Sequence, residues 1–334
     1  MRKVIFIIIV FVLVLALSIS YLKYGYLFGY IKSYSVDENG NYFSYEFRNK
    51  EGLCEKDGKT FITPPIFDEI SNFRDGFATC RIGSKWGFID KAGNFLVRPI
   101  YAYASGIGNN LAEVCIGSSW GVVDIHGKFI IKPEYQSTLG ASEGLICVRN
   151  HKDKIGVFDI TGKLVIPFKF DSLNSFSDGL AAASTNSIID WERFSSATAT
   201  HSTRRPRYGY INHMGEFAIP EIFQAAESFK GGFAVVSLDL QAYGIIDKTG
   251  EFVIPPVSKE VENFGNGYAC YKKDGKYGII DIKNKKISKP LFDMISNFGG
   301  DVCRVEIDGE KQAFDVKNFK FDEHNSDDSQ DKKQ

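Results

Sequence analysis

Ser119 is the first residue of this chain whose setting suggests chemistry, because Gly117-Ser118-Ser119-Trp120-Gly121 matches the G-x-S-x-G pattern of a serine nucleophile held on a strained turn. That turn joins a strand to a helix, and the hydroxyl needs a histidine and a carboxylate beside it. The same window recurs as Gly83-Ser84-Lys85-Trp86-Gly87 and Asp274-Gly275-Lys276-Tyr277-Gly278, so the position of Ser119 accepts lysine and the match reads as an ordinary hairpin. A second candidate is the column Asp90, Asp124, Asp159, Asn212, Asp247 and Asp281, which offers a ladder of carboxylates to calcium. Each member is followed three residues on by Gly or Asn, and turn formation alone requires that spacing. His126, His151, His201, His213 and His324 share no repeat position and no ligand spacing, so they read as surface residues and no metal site is expected. No catalytic residue and no cofactor is expected either.

Cys80, Cys115, Cys147, Cys270 and Cys303 fall in equivalent strands, with Cys54 elsewhere, and small apolar thiols suit a crowded strand interior. The alternative is a pair of bridges, Cys80 with Cys115 and Cys270 with Cys303. The remaining candidate is an insertion from about Ser184 to Arg207. Trp191, Arg193 and Phe194 there have the makings of a partner anchor, and Arg204, Arg205 and Arg207 form a positive cluster.

The elements that must position these residues follow from composition and period. The 334 residues are 44% apolar and 24% charged, an ordinary globular balance, and 28 Phe, 16 Tyr and 32 Gly favour strands joined by tight turns. A net charge of -1 removes the broad attraction that non-specific nucleic-acid binding needs. The chain then repeats a mark, a large apolar residue followed by Gly, at Trp86-Gly87, Trp120-Gly121, Ile155-Gly156, Tyr208-Gly209, Tyr243-Gly244 and Tyr277-Gly278. A Pro column follows at Pro99, Pro133, Pro167, Pro220, Pro255 and Pro290, and weaker copies at Glu51-Gly52 and Lys311-Gln312 extend the register to eight. Steps of 34 or 35 residues hold throughout, except for the 53-residue step that contains the insertion.

Each unit is expected to be a three-stranded meander: the mark strand, a second strand ended by Pro, a connection carrying a Phe (Phe73, Phe176, Phe229, Phe264, Phe298), and a third strand such as Phe77-Ala78-Thr79-Cys80. About six buried apolar side chains cannot offset the entropy of ordering some 35 residues, so the units must stack, with the mark residues as core between them. Glu51 and Lys311 at the outermost marks suggest capped ends, hence an all-β open solenoid or superhelix; the alternative is a closed β-propeller.

Lys85-Trp86-Gly87-Phe88-Ile89-Asp90-Lys91-Ala92-Gly93 and its copies resemble the WG-repeat (KWG-repeat) proteins of bacteria over roughly residues 41–321. The resemblance implies a binding or scaffolding array and supplies no catalytic residues to carry over.

The ends carry a separate message. Arg2 and Lys3 precede an apolar run from Val4 to Leu22, about 28 Å of helix, and the positive-inside tendency would keep the N-terminus in the cytoplasm. Residues 1–22 are therefore expected to form a signal-anchor helix, with cleavage near Ala16-Leu17-Ser18 as the alternative, and residues 23–40 a juxtamembrane linker. The acidic tail 322–334 reads as disordered. The expected function is a membrane-anchored, outward-facing, non-catalytic module that binds a protein or cell-envelope polymer. Carbohydrate or peptidoglycan stacking on the mark aromatics is the alternative, with a hydrolase more distant.

Overall fold

A computed structural model describes residues 33–36, 40–58, 60–185, 206–299, 302–317, 319 and 321. The expected anchor 1–22, most of the linker, residues 186–205 of the insertion and the tail 322–334 lie outside them. Among the described residues no helix is long and apolar enough to cross a membrane.

Eight antiparallel sheets follow one another along the described chain, one for each sequence copy. The expectation of three strands holds for the first and last sheets only; the six inner sheets have four. In the second sheet the strands are Glu69–Ile70, Phe77–Ile82, Lys85–Asp90 and Phe95–Tyr101, each paired with its chain neighbour. The extra strand lies in what reads from sequence as the Phe-bearing connection. It is only two residues long here, too short to show a period. A single residue links each inner sheet to the next inner one, as Ala102 joins Phe95–Tyr101 to Tyr103–Gly108.

The Asp column makes turns, as expected. Asp124 Oδ1 accepts the backbone N–H groups of His126 and Lys128, both at 2.9 Å, and Asn212, Asp159 and Asp247 repeat the pattern. Gly127 closes the turn at a φ of 81°, in the left-handed region that glycine tolerates.

At Pro99, Pro133, Pro167, Pro220 and Pro255 proline does not end the second strand but sits inside it, at a bulge, whereas Pro290 follows the strand Lys286–Ile287. Trp86 pairs with Tyr101 while Phe88 pairs with Val97, so two extra residues are taken up around Pro99. The bulged backbone folds across the mark glycine: a Cβ on Gly87 would lie 2.4 Å from the Val97 carbonyl oxygen, and one on Gly121 2.5 Å from that of Ile131. The Gly of each of these marks is thus fixed by close backbone approach. At Gly52 and Gly278 a tyrosine ring takes the place of the bulge, and Tyr45 and Tyr271 donate to the carbonyls of Thr63 and Ser288 at 2.7 and 2.6 Å.

Within the unit Met1–Thr138, and separately within Leu139–Gln334, the cores form between successive sheets. Phe77, Phe88 and Tyr101 of the second sheet pack with Ala104, Ala112, Val114 and Val123 of the third. Ala182 and Tyr210 of the fifth sheet pack toward the sixth, while Ala181, Ala183 and Ile211 pack toward the fourth. Sheets buried on both faces explain the unbroken apolar strands. The mark residues are not the centre of these cores as expected: Ile155 is 1% exposed, but Trp86, Trp120, Tyr208, Tyr243 and Tyr277 are only half-buried. They sit opposite the far end of the bulged strand, where the sheet meets water.

Candidate functional site

Half-buried rings at a regular step make the mark residues the first place to look for recognition. In the unit Met1–Thr138, Tyr103 stands between Trp86 and Trp120, with ring centroids 5.7 and 5.3 Å away. Tyr103 opens the first strand of the third sheet and is 40% exposed, so the three rings form a continuous aromatic strip at the surface. Nothing in the sequence of Tyr103 announces this, because its repeat column is otherwise Glu69, Ser137, Ser172, Ala225, Glu260 and Met294.

The same column builds a second arrangement. Glu69 pairs with Arg81, whose guanidinium lies 3.3 Å from the Glu69 carboxylate and 5.7 Å from the Trp86 ring centre. In the seventh sheet Glu260, Lys272 and Tyr277 repeat it, at 3.7 and 5.1 Å. At these two marks the chain supplies its own cation to an aromatic face and a carboxylate.

A third regularity gives a role to the lysine before the mark. Lys50 reaches Asp68 at 2.6 Å, Lys276 reaches Asp293 at 2.5 Å, and Lys154 reaches Asp171. Asp68 and Asp293 also accept the backbone N–H groups of Gly83 and Asp308, both at 2.7 Å. The lysine lowers each of these two carboxyls below the ordinary range, foremost through its hydrogen bond. Each aspartate stands immediately before the first strand of a sheet, so the pair clasps that sheet to the one before it.

Between the sixth and seventh sheets the clasp positions hold Ala242 and Lys259 instead, and a cleft of about 340 Å³ lies there. Glu227, Tyr243, Lys259, Glu260, Glu262 and Tyr277 line it. Packing around the Glu227 carboxyl is the largest influence on its pKa and raises it; Lys230 lowers it and Glu262 raises it further. Tyr243 carries no cation of the chain among the described residues, because Ser237 and Ala225 stand where Lys272 and Glu260 stand at Tyr277.

The residues singled out from sequence are dispersed. Trp191, Arg193, Phe194, Arg204 and Arg205 lie outside the described residues; Arg207 is exposed and donates to the Ile222 carbonyl at 2.7 Å. Ser119 opens the mark strand Ser119–Asp124 opposite Ile116, an ordinary hairpin position. His126, His151 and His213 are exposed, and His213 meets the Glu143 carboxylate at 2.7 Å, while His201 and His324 lie outside the described residues. Among the described residues no group of three or more His, Cys, Asp or Glu is placed to hold a metal ion. All six cysteines are free and buried, the first of the two readings, and neither alternative bridge forms.

Successive four-stranded sheets with one recurrent turn, bulge and clasp define an all-β repeat array. The chain belongs to the family described as WG containing repeat, which matches residues 52–86, 86–118, 120–153, 155–187, 208–239, 243–277 and 277–310. Those matches begin at seven of the eight marks. No curated protein matches the chain. Among solved structures, a eukaryotic initiation factor is similar at 10% identity over 85% of each chain, with a TM-score of 0.50. BamB from Moraxella catarrhalis is 12% identical over 87% of this chain and 92% of its own, at a TM-score of 0.39. The WD40 β-propeller domain of Doa1 is 11% identical over 72% and 89%, at 0.29. These likenesses concern fold alone.

Proposed function

We propose that this chain is a non-catalytic protein-binding array of the bacterial cell envelope, held at the membrane by residues 1–22 with its repeats outside the cytoplasm. The observation that carries the reading is the strip Trp86–Tyr103–Trp120, three rings in mutual contact of which Tyr103 is 40% exposed while Trp86 also rests on the core of the second and third sheets. Large, stiff aromatic side chains bring contact area at little entropic cost, and they anchor protein interfaces. The insertion 184–207 is a second contact in this reading, through Trp191, Arg193, Phe194, Arg204, Arg205 and Arg207. The outermost copies, with three-stranded sheets and charged marks at Glu51 and Lys311, serve as caps of an open array.

Carbohydrate binding is the second reading, and the half-exposure of the mark rings favours it. The tilt of 52° and 53° between neighbouring rings favours protein, since the rings pack on one another and leave no parallel platforms for sugar. Affinity capture from solubilised native membranes decides between them. Replacing Trp86 and Trp120 together by alanine, at about 2 kcal/mol each for half-buried indoles, should remove a bound polypeptide while the chain stays folded. Retention of isolated peptidoglycan by the native chain, lost in the same variant, would establish the carbohydrate reading instead.

A further inference from the structure

We infer that the cleft between the sixth and seventh sheets receives a protonated lysine or arginine side chain of the partner protein, an inference that rests on the protein-binding reading and adds a charge to it. The clasp is made at three of the seven steps between sheets and is missing at Lys85 with Ala102, Ser119 with Gln136, Arg207 with Gln224 and Ala242 with Lys259, the last of which holds the cleft. Where Lys50–Asp68 and Lys276–Asp293 clasp one sheet to another, Ala242 removes the cation and Lys259 replaces the carboxylate, and the space between Tyr243 and Tyr277 stays open. Its volume of about 340 Å³ is ample for one long side chain. The equivalent step between Trp86 and Trp120 is filled by Tyr103, so open space is not a property of the scaffold as such.

The lining selects the sign of the guest. Glu227, Glu260 and Glu262 face one lysine of the lining, Lys259; from outside the lining Lys272 stands 3.7 Å from Glu260 and Lys230 acts on Glu227. The Glu262 carboxylate opposes the ionisation of Glu227, and a guest cation relieves that opposition. The aromatic side argues the same way. The chain sets Arg81 against Trp86 with Glu69, and Lys272 against Tyr277 with Glu260, so the mark ring with an adjacent carboxylate is a cation platform by its own usage. Tyr243 has Ala225 and Ser237 in place of that carboxylate and cation, and here the cleft glutamates Glu227, Glu260 and Glu262 stand in for the carboxylate while a partner's side chain supplies the cation.

The test uses the full chain in detergent and a fluorescent octalysine peptide, with octaglutamate as its counterpart, read by anisotropy. Octalysine should bind and octaglutamate should not. Glu227→Gln with Glu262→Gln should weaken octalysine by about tenfold or more, Tyr243→Leu by several-fold, and Tyr243→Phe hardly at all. Lys259 is exposed, so Lys259→Glu should fold regardless and should tighten binding. Equal binding of the two peptides, or octalysine affinity unchanged by both the double glutamine variant and Lys259→Glu, overturns the inference. Such a failure with Trp-dependent capture of a polypeptide intact would leave the protein-binding reading standing; loss of that capture is what removes the reading itself.

Discussion

Gly87 and Gly121 show how a single hydrogen in place of a side chain sets the geometry of a whole repeat. The bulge around Pro99 brings the Val97 carbonyl to within 2.4 Å of where a Gly87 Cβ would stand, so Gly87→Ala must push the bulged strand away. A cost of about 3 kcal/mol is expected. Gly83 has a φ of 63° but open space around it, and Gly83→Ala should cost only about 1 kcal/mol. Chemical denaturation of the two variants checks the difference, and equal costs would mean that conformation rather than backbone approach keeps the mark glycine. The cysteines give a second residue-scale expectation. Burial pushes the thiols of Cys80, Cys147 and Cys270 up to about 12 and that of Cys303 to about 11, so the reactive thiolate is scarce and enclosed. Ellman's reagent should find almost no thiol in the native chain and six after unfolding; fast native labelling would show that one of these strands opens readily.

The insertion is the element whose removal should matter least to the fold. Its flanking strands Ala181–Ser184 and Tyr208–Ile211 pair directly, Ala181 with Ile211 and Ala183 with Gly209, as the two strands of any other hairpin here do. Gly232 donates to Asp178 at 2.7 Å as Gly179 donates to Glu143 and Asn110 to Asp75, so the step from one turn to the next is kept across the extra residues. Deleting Asn186 to Arg204 should therefore change stability by no more than about 1 to 2 kcal/mol, measured by thermal melting. Loss of the cooperative transition would place the segment in the core. These pairings also show what was legible beforehand. The marks, turn aspartates and period identify eight all-β copies, because turn chemistry recurs in residue types. The fourth strand was hidden, since it varies from two residues in Glu69–Ile70 and Ser172–Leu173 to six in Tyr103–Gly108 and is defined by pairing rather than by a recurrent pattern. Proline was misplaced to a strand end because a bulge accepts it as readily as an edge does. Tyr103 could not be singled out, as its column has no consistent type. The cleft was not visible: Ala242 and Lys259 lack the Lys–Asp pair that Lys50–Asp68, Lys154–Asp171 and Lys276–Asp293 make, but so do Lys85 with Ala102, Ser119 with Gln136 and Arg207 with Gln224, and the pair has meaning only once it is seen to touch.

At the scale of the molecule, cores that form between successive sheets put stability in neighbour contacts, which leaves the sheet edges free to vary for recognition. Where those edges face is the topological expectation: a phosphatase reporter fused after Gln334 should be active outside the cytoplasm, because Arg2 and Lys3 are the charges that precede the apolar run. Activity of a cytoplasm-dependent reporter at the same site would reverse the orientation.

The claim on which the rest depends is that the aromatic strip touches a protein. A photo-crosslinking amino acid at Tyr103, in the full chain in its native membrane, tests it most directly, with Met214, 70% exposed in the turn that follows the strand Tyr208–Ile211, as the comparison site. Irradiation should give discrete, protease-sensitive adducts from position 103, absent when Trp86 and Trp120 are also alanine and absent from position 214. Adducts of equal yield at both positions, or none from position 103 in a folded, membrane-bound chain, would contradict the account.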